Sequence, residues 1–330
     1  MTGGDRMHTK RWFLWAGLCL YLFALFAAGC APQNAATVQG NGQADGAYAV
    51  ITDDMSRTVR LAEKPQRVVV LSTSLLNMAD ALDGELAGRA TVKAEDAELP
   101  ERYAAVPDVG PVYNVSVEKI IELQPDLVVA SEVQHQKLVS LLEQNGIPVI
   151  ALRSKTYDDV KRNLAIFGTI YGKKEAAEAR AAEMDEAIEA IVAKAPQDHK
   201  KVAIIHATPS SVTVQLDSSI AGCAAKMLHL DNVAADAQTS GTMEKVPYSM
   251  EALAEKDPDI IFFTSMGPAE KIEERIRQDV MSNPAWATLR AVKAGKVYVL
   301  PERYFLLNPG LDYPDAVAYM ARLAYPEAFS

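Results

Sequence analysis

Several side chains along this chain could hold or donate to a ligand, and none of them belongs to a catalytic signature. Met266 follows the apolar run Ile260-Ile261-Phe262-Phe263 and precedes Gly267-Pro268, so its thioether, a soft donor, stands in a loop and not in a core. Met78 recurs with Leu75, Leu76, Ala79 and Leu82 on an apolar helical face, where a methionine ordinarily fills space. His206 ends the apolar run Lys201-Val202-Ala203-Ile204-Ile205, and an imidazole at a strand end suits a ligand site. His135 and His199 fall in polar stretches and read as solvated, and His229 lies about ten residues into a helix, roughly 15 Å from its start. Cys30 follows Ala27-Ala28-Gly29, small residues that leave a peptidase room at the backbone. The chain has no G-x-S-x-G elbow, P-loop, H-E-x-x-H or C-x-x-C, and Ser210-Ser211 after Pro209 is a turn composition. The chemistry on offer is binding, and the chain reads as no enzyme.

Residues 1–29 read as a secretory signal, with a basic start at Arg6, Lys10 and Arg11 and an apolar run from Trp12 to Ala28 that is short for a membrane span. Its removal leaves about 300 residues, enough for two domains with proper cores. The formal charge of −10 falls to about −12 once that segment, with three basic residues and Asp5, is gone. An acidic surface argues against nucleic acid as a partner. Cys19 leaves with the signal and Cys30 becomes the first residue, so Cys223 stands alone in an apolar helical pattern, as a buried and inert thiol, and no internal disulfide forms.

Residues 30–46, polar and Gly-containing, read as a flexible tether. Beyond them the chain divides into a lobe over 47–172, a connecting helix over 173–195 and a second lobe over 196–330. In the first lobe the strands are Arg67–Leu71, Asp126–Ala130 and Pro148–Leu152, with a helix through Leu75, Met78 and Leu82. The second repeats the plan with Lys201–Ile205, a helix from about Ser219 to Leu230, Asp259–Phe263 and Val297–Leu300. Alternating strands and helices predict an α/β fold of two Rossmann-like lobes with central parallel sheets. The Ala- and Glu-rich stretch between them is a single long interdomain helix, which permits only modest closure. Ligands of such sheets sit outside the carboxyl ends of the strands, near Ser72, Ser131, His206 and Ser265.

The stretch ending at Cys30 and the body behind it each resemble a known type. Ala27-Ala28-Gly29-Cys30 resembles the lipobox of bacterial lipoproteins, with Ala27 where leucine is usual, which implies lipidation at Cys30 and a place on the extracytoplasmic face of the cell membrane. The hairpin with Asp53, Asp54, Arg57 and Pro65, then Ser116-Val117-Glu118, Gln124-Pro125-Asp126, Ser249-Met250-Glu251 and Asp257-Pro258-Asp259 resemble the helical-backbone substrate-binding lipoproteins of ABC importers. The resemblance implies that Glu118 and Glu251, one per lobe, meet arginines of an ABC permease. From the residues alone each is an ordinary first-turn carboxylate favoured by the helix dipole.

Within that family the stretches Thr73–Leu82 and Leu99–Gly110 look most like haem-receptor lipoproteins of Gram-positive cells. The resemblance implies haem as transported ligand, Met78 as one axial donor, and Met266 where the family has a histidine, with His206 as the substitute. Tyr113, Tyr304, Lys93 and Arg153 are the expected rim donors for haem propionates. The alternative cargo is a ferric siderophore, for which the cleft loops offer few arginines, or cobalamin, for which the mature chain retains one tryptophan, Trp286.

Overall fold

Strands in the first lobe form where β-branched and apolar residues run together, and helices where apolar residues recur every three to four. The computed structural model describes residues 37–39, 46–92, 99–237, 243–307 and 309–329. An antiparallel sheet opens the chain: β1 (Thr37–Gln39), β2 (Ala49–Thr52) and β3 (Thr58–Leu61), paired in that order. Part of the stretch read as a flexible tether is therefore a strand; the β-branched Thr37 and Val38 suit it, and Val38 pairs with Ile51.

Next come β4 (Val68–Val70), α1 (Thr73–Ala81), β5 (Gly88–Thr91), β6 (Asp108–Pro111), α2 (Val117–Glu122), β7 (Leu127–Ser131), α3 (Gln136–Gln144) and β8 (Val149–Leu152). Their strands make one fully parallel sheet in the order β6-β5-β4-β7-β8. The order reverses between β4 and β7, and the crevice at that switch point opens at their carboxyl ends, by Ser72 and Ser131.

Two helices then carry the chain across: α4 (Tyr157–Tyr171) and α5 (Lys174–Val192). A capping box starts α4, with Asp159 N donating to Thr156 Oγ1 and Thr156 N to Asp159 Oδ2. Gly172, at φ +65°, ends it. Helix α5 has 19 residues, about 28 Å, and buries Ala177, Met184 and Ile188 along one side. It packs on α4 of the first lobe and on the last helix of the second.

The second lobe comprises β9 (Lys201–Ala207), β10 (Val212–Gln215), α6 (Ile220–Met227), β11 (Asp231–Asn232), β12 (Lys245–Pro247), α7 (Met250–Lys256), β13 (Ile260–Ser265), α8 (Ala269–Ile276), α9 (Arg290–Lys293), β14 (Val297–Val299), α10 (Glu302–Phe305) and α11 (Tyr313–Ala324). Strands β11, β13 and β14 are parallel to β9, whereas β10 runs antiparallel to both β9 and β12. The second lobe is thus a mixed sheet and not a copy of the first.

Tyr313 ties the lobes together. Its ring is fully buried, 5.4 Å from that of Tyr157, and its hydroxyl lies 3.5 Å from the carbonyl oxygen of Lys155 and 3.4 Å from that of Ile220.

Candidate ligand-binding cleft

The two lobes approach each other at Lys155, which follows β8, and Glu244, which precedes β12; Lys155 Nζ lies 3.5 Å from Glu244 Oε2. The cleft therefore lies between the loops after β7 and β8 on one side and the ends of β9 and β13 on the other.

The first lobe supplies a wall of paired charges. Arg153 Nε and Nη2 each lie 3.2 Å from a carboxylate oxygen of Asp159. Arg162 reaches Asp159 and Asp54 at 2.9 Å each. Burial would raise the Asp159 carboxyl, but hydrogen bonds from Arg153 and the Thr156 amide, with the charges of Arg153 and Arg162, outweigh it and hold it below the usual range. Burial dominates at Asp54 and at Glu132, and both carboxyls are pushed up. Arg153, expected as a rim donor, thus spends its guanidinium on Asp159.

The second lobe supplies a different wall. His206 is 4% exposed, and its Nδ1 sits 3.0 Å from Thr264 Oγ1, which accepts from Gln215 Nε2 at 3.1 Å. Burial, aided by the charges of Lys245 and Lys155, lowers the His206 pKa to about 4, so the imidazole is neutral near pH 7. His206 pairs with Thr264 in the parallel register of β9 and β13, so both point to one sheet face, and Met266, two residues beyond Thr264, continues it. His206 and Met266 accordingly lie on one wall.

The two methionines expected as an axial pair stand in unlike surroundings. Met266 is 54% exposed after β13, but Met78 has no exposed surface at all, because α1 turns it into the core with Leu75, Leu76 and Ala79. In this conformation the Met78 side chain is packed within the apolar face of α1, and none of its surface meets the cleft. Tyr113 is 73% exposed in the loop after β6. Tyr304 is half-buried, with the Arg303 guanidinium 4.7 Å from its ring centre and the rings of Phe305 and Tyr319 beside it. Lys93 and Cys30 lie outside the described residues.

His135 is a further correction. It is buried: its Nδ1 accepts from the Ser131 amide at 3.0 Å and its Nε2 lies 2.6 Å from the Val112 carbonyl oxygen, so the ring joins the loops after β6 and β7. His199 is exposed and lies 3.0 Å from Asp231. Reading by residue type overlooked Gln215, Thr264, Lys155 and Glu244. The signal for Thr264 was a hydroxyl closing the apolar run Ile260–Phe263, level with His206 on the neighbouring strand.

Glu118 and Glu251 occupy matching positions on the two lobes. Each opens a helix behind a capping serine, and Ser116 and Ser249 donate to them at 3.0 and 3.1 Å. Each carboxyl is held low by its own backbone amide and by that serine, so both are exposed anions.

The sequence profile described as periplasmic binding protein matches residues 68–304, which spans both sheets and the cleft between them. The chain belongs to the periplasmic binding protein family. As a member of that family it is a substrate-binding transport protein and not an enzyme. This binding protein is 26% identical over 284 residues to the Fe(3+)-citrate-binding protein YfmC of Bacillus subtilis, covering 84% of this chain and 86% of that one. Its fold is similar to that of Staphylococcus aureus IsdE, solved in complex with heme, with TM-score 0.68, 24% identity, and coverage of 78% of this chain and 98% of that one. It is also similar to an ABC transporter substrate-binding protein from Listeria monocytogenes, with TM-score 0.71, 23% identity, and coverage of 80% and 100%.

Proposed function

We propose that this binding protein carries haem in the cleft between its lobes and delivers it to an ABC permease at the outer face of the membrane. One observation carries the reading. Five of the eight large apolar side chains most exposed among the described residues (Tyr113, Val133, Met243, Met266 and Val299) follow or end parallel strands at their carboxyl ends or flank the Lys155–Glu244 contact. An apolar macrocycle gains by covering such surface, at about 25 cal/mol per Å². The arginines nearby are already matched, Arg153 by Asp159 and Arg303 by Asp312, which leaves them poorly placed to hold a highly anionic chelate.

Iron would be held from the second lobe, by the Met266 thioether or by the neutral imidazole of His206, both ligand types that haem iron accepts. Met78 is left out of the ligand set because none of its surface reaches the cleft. Tyr113, with Lys93, is the candidate donor to the propionates. Glu118 and Glu251 are the docking contacts for the permease, and Cys30 is the lipid attachment point; mass spectrometry of the membrane-bound form, compared with Cys30→Ala, tests the latter.

Iron citrate or a ferric siderophore is the second reading. It draws support from the similarity to YfmC and from Lys245, which has no carboxylate partner among the described residues and lies close enough to depress the His206 pKa. The chain beginning after Cys30, titrated with hemin and then with ferric citrate, separates the two. Haem binding is expected to give a Soret band that shifts in Met266→Ala or His206→Ala. A chain indifferent to hemin but quenched by ferric citrate would replace haem by the chelate.

A further inference from the structure

His206, Thr264 and Gln215 form a short chain of polar side chains in the wall of the second lobe, 4%, 1% and 8% exposed. Gln215 Nε2 donates to Thr264 Oγ1, and Thr264 Oγ1 lies beside His206 Nδ1. Gln215 Oε1 is buried without a partner, and His206 Nε2, on the ring's other edge, has none among the described residues.

A threonine hydroxyl has a single proton, so the chain has two ways to arrange its hydrogens. With the amide as it stands, Thr264 donates to His206 Nδ1, the imidazole proton sits on Nε2, and the cleft meets a donor. With the amide turned over, Gln215 Oε1 accepts the Thr264 proton, Thr264 Oγ1 accepts from Nδ1–H, and Nε2 is a bare lone pair. Each arrangement makes two hydrogen bonds and leaves one amide atom unpaired. The first is the arrangement of the ligand-free structure, and the second, equal to it in hydrogen-bond count, lies near enough in energy for a ligand that favours it to select it.

We infer that Gln215 and Thr264 are positioning residues that let His206 present either an N–H or a bare nitrogen to the cleft, so that one site takes an iron centre by coordination or an anionic chelate by hydrogen bonding. The coordinating half rests on the haem reading above; the relay itself does not.

The test uses the soluble chain labelled with 15N-histidine, where imidazole shifts report which nitrogen carries the proton and His206→Ala assigns the signals. Ligand-free wild type is expected to carry it on Nε2. Gln215→Glu, whose ionised carboxylate only accepts, is expected to move it to Nδ1, to tighten hemin about three- to tenfold and to weaken ferric citrate by a similar factor. With Thr264→Val added, the Gln215→Glu exchange should move neither quantity. If a buried carboxylate prevents folding, Thr264→Val alone carries the test and is expected to populate both tautomers. The same tautomer in wild type and in every folded variant overturns the inference, as does a shifted tautomer with unchanged affinity for both ligands. A wild type that ignores hemin, while the tautomer shift and the weaker ferric citrate binding persist, supports the relay and removes the haem reading.

Discussion

The two walls of the cleft are built on opposite principles. On the first lobe, Asp159 gathers Arg153, Arg162 and two backbone amides around one buried carboxylate, and its hydrogen-bonding capacity is used up. Asp54 Oδ1 and Arg162 Nε beside it are buried without a partner, as are Gln215 Oε1 and Asp217 Oδ1 on the second lobe, but there the side chains His206, Thr264 and Gln215 form a neutral network. A network of buried ion pairs resists change, because removing one member strands the charge of the others; a neutral one can re-pair its hydrogens around an incoming group. The contrast assigns rigidity to the first wall and selectivity to the second.

The sharpest way to break that contrast is to cut each wall at its centre. Asp159→Ala leaves the half-buried Arg153 guanidinium without its carboxylate and Arg162 with Asp54 alone, and is expected to cost about 3 kcal/mol in urea denaturation, whereas Gln215→Leu, which removes a lone acceptor with its donor, should cost about 1 kcal/mol or less. Equal losses would erase the distinction.

Acid probes the walls separately. Unfolded histidine titrates near 6.5, and His206 in the fold near 4, so between those values the unfolded chain holds a proton that the folded chain does not. Stability therefore falls as pH drops from about 6.5 to about 4, by up to about 3 kcal/mol from this group, and His206→Asn should remove that component from the pH dependence of thermal melting. The Asp159 contribution has a different window: its carboxyl is depressed in the fold, so its stabilisation is complete above the ordinary carboxylate range and is lost only as pH falls through the depressed value.

Smaller effects sharpen the comparison from outside the core. Tyr113→Ala should leave melting within about 0.5 kcal/mol of wild type while weakening the ligand. Charge reversal at Glu118 or Glu251 should change neither melting nor ligand affinity but slow uptake by whole cells; weaker ligand binding instead would move that glutamate into the cleft.

Much of this architecture could be read in the chain. The runs that became β4, β7, β8, β9 and β13 are apolar and uninterrupted, and the periodicity of α5 is plain. Strands β5 and β6 were hidden because Gly88, Arg89 and Asp108 break the apolar pattern; Arg89 is nonetheless buried, donating to the Tyr103 carbonyl oxygen at 3.0 Å and reaching Asp108 at 3.1 Å. Strands β10 and β12 were too short and polar to stand out, which is why the second sheet was expected to be parallel. His135 lies in a polar stretch yet is sealed by two loops. The partnership of Gln215, Thr264 and His206 joins residues 49 and 58 positions apart, so only strand register could bring it to light.

Tyr313 gives the protein something like an axle. Its hydroxyl touches backbone on both lobes at a fully buried point, while Tyr113 and Met266 in the cleft loops lie out toward solvent. A small rotation about a line near that hydroxyl leaves the buried contacts almost unchanged, yet it sweeps the rims through a longer arc, as a short turn at a hinge moves the far edge of a door. If Glu118 and Glu251 are the docking contacts proposed above, such a rotation on ligand capture would alter their spacing by leverage, and a permease gripping both acids would feel the cargo as a change of gauge between two studs.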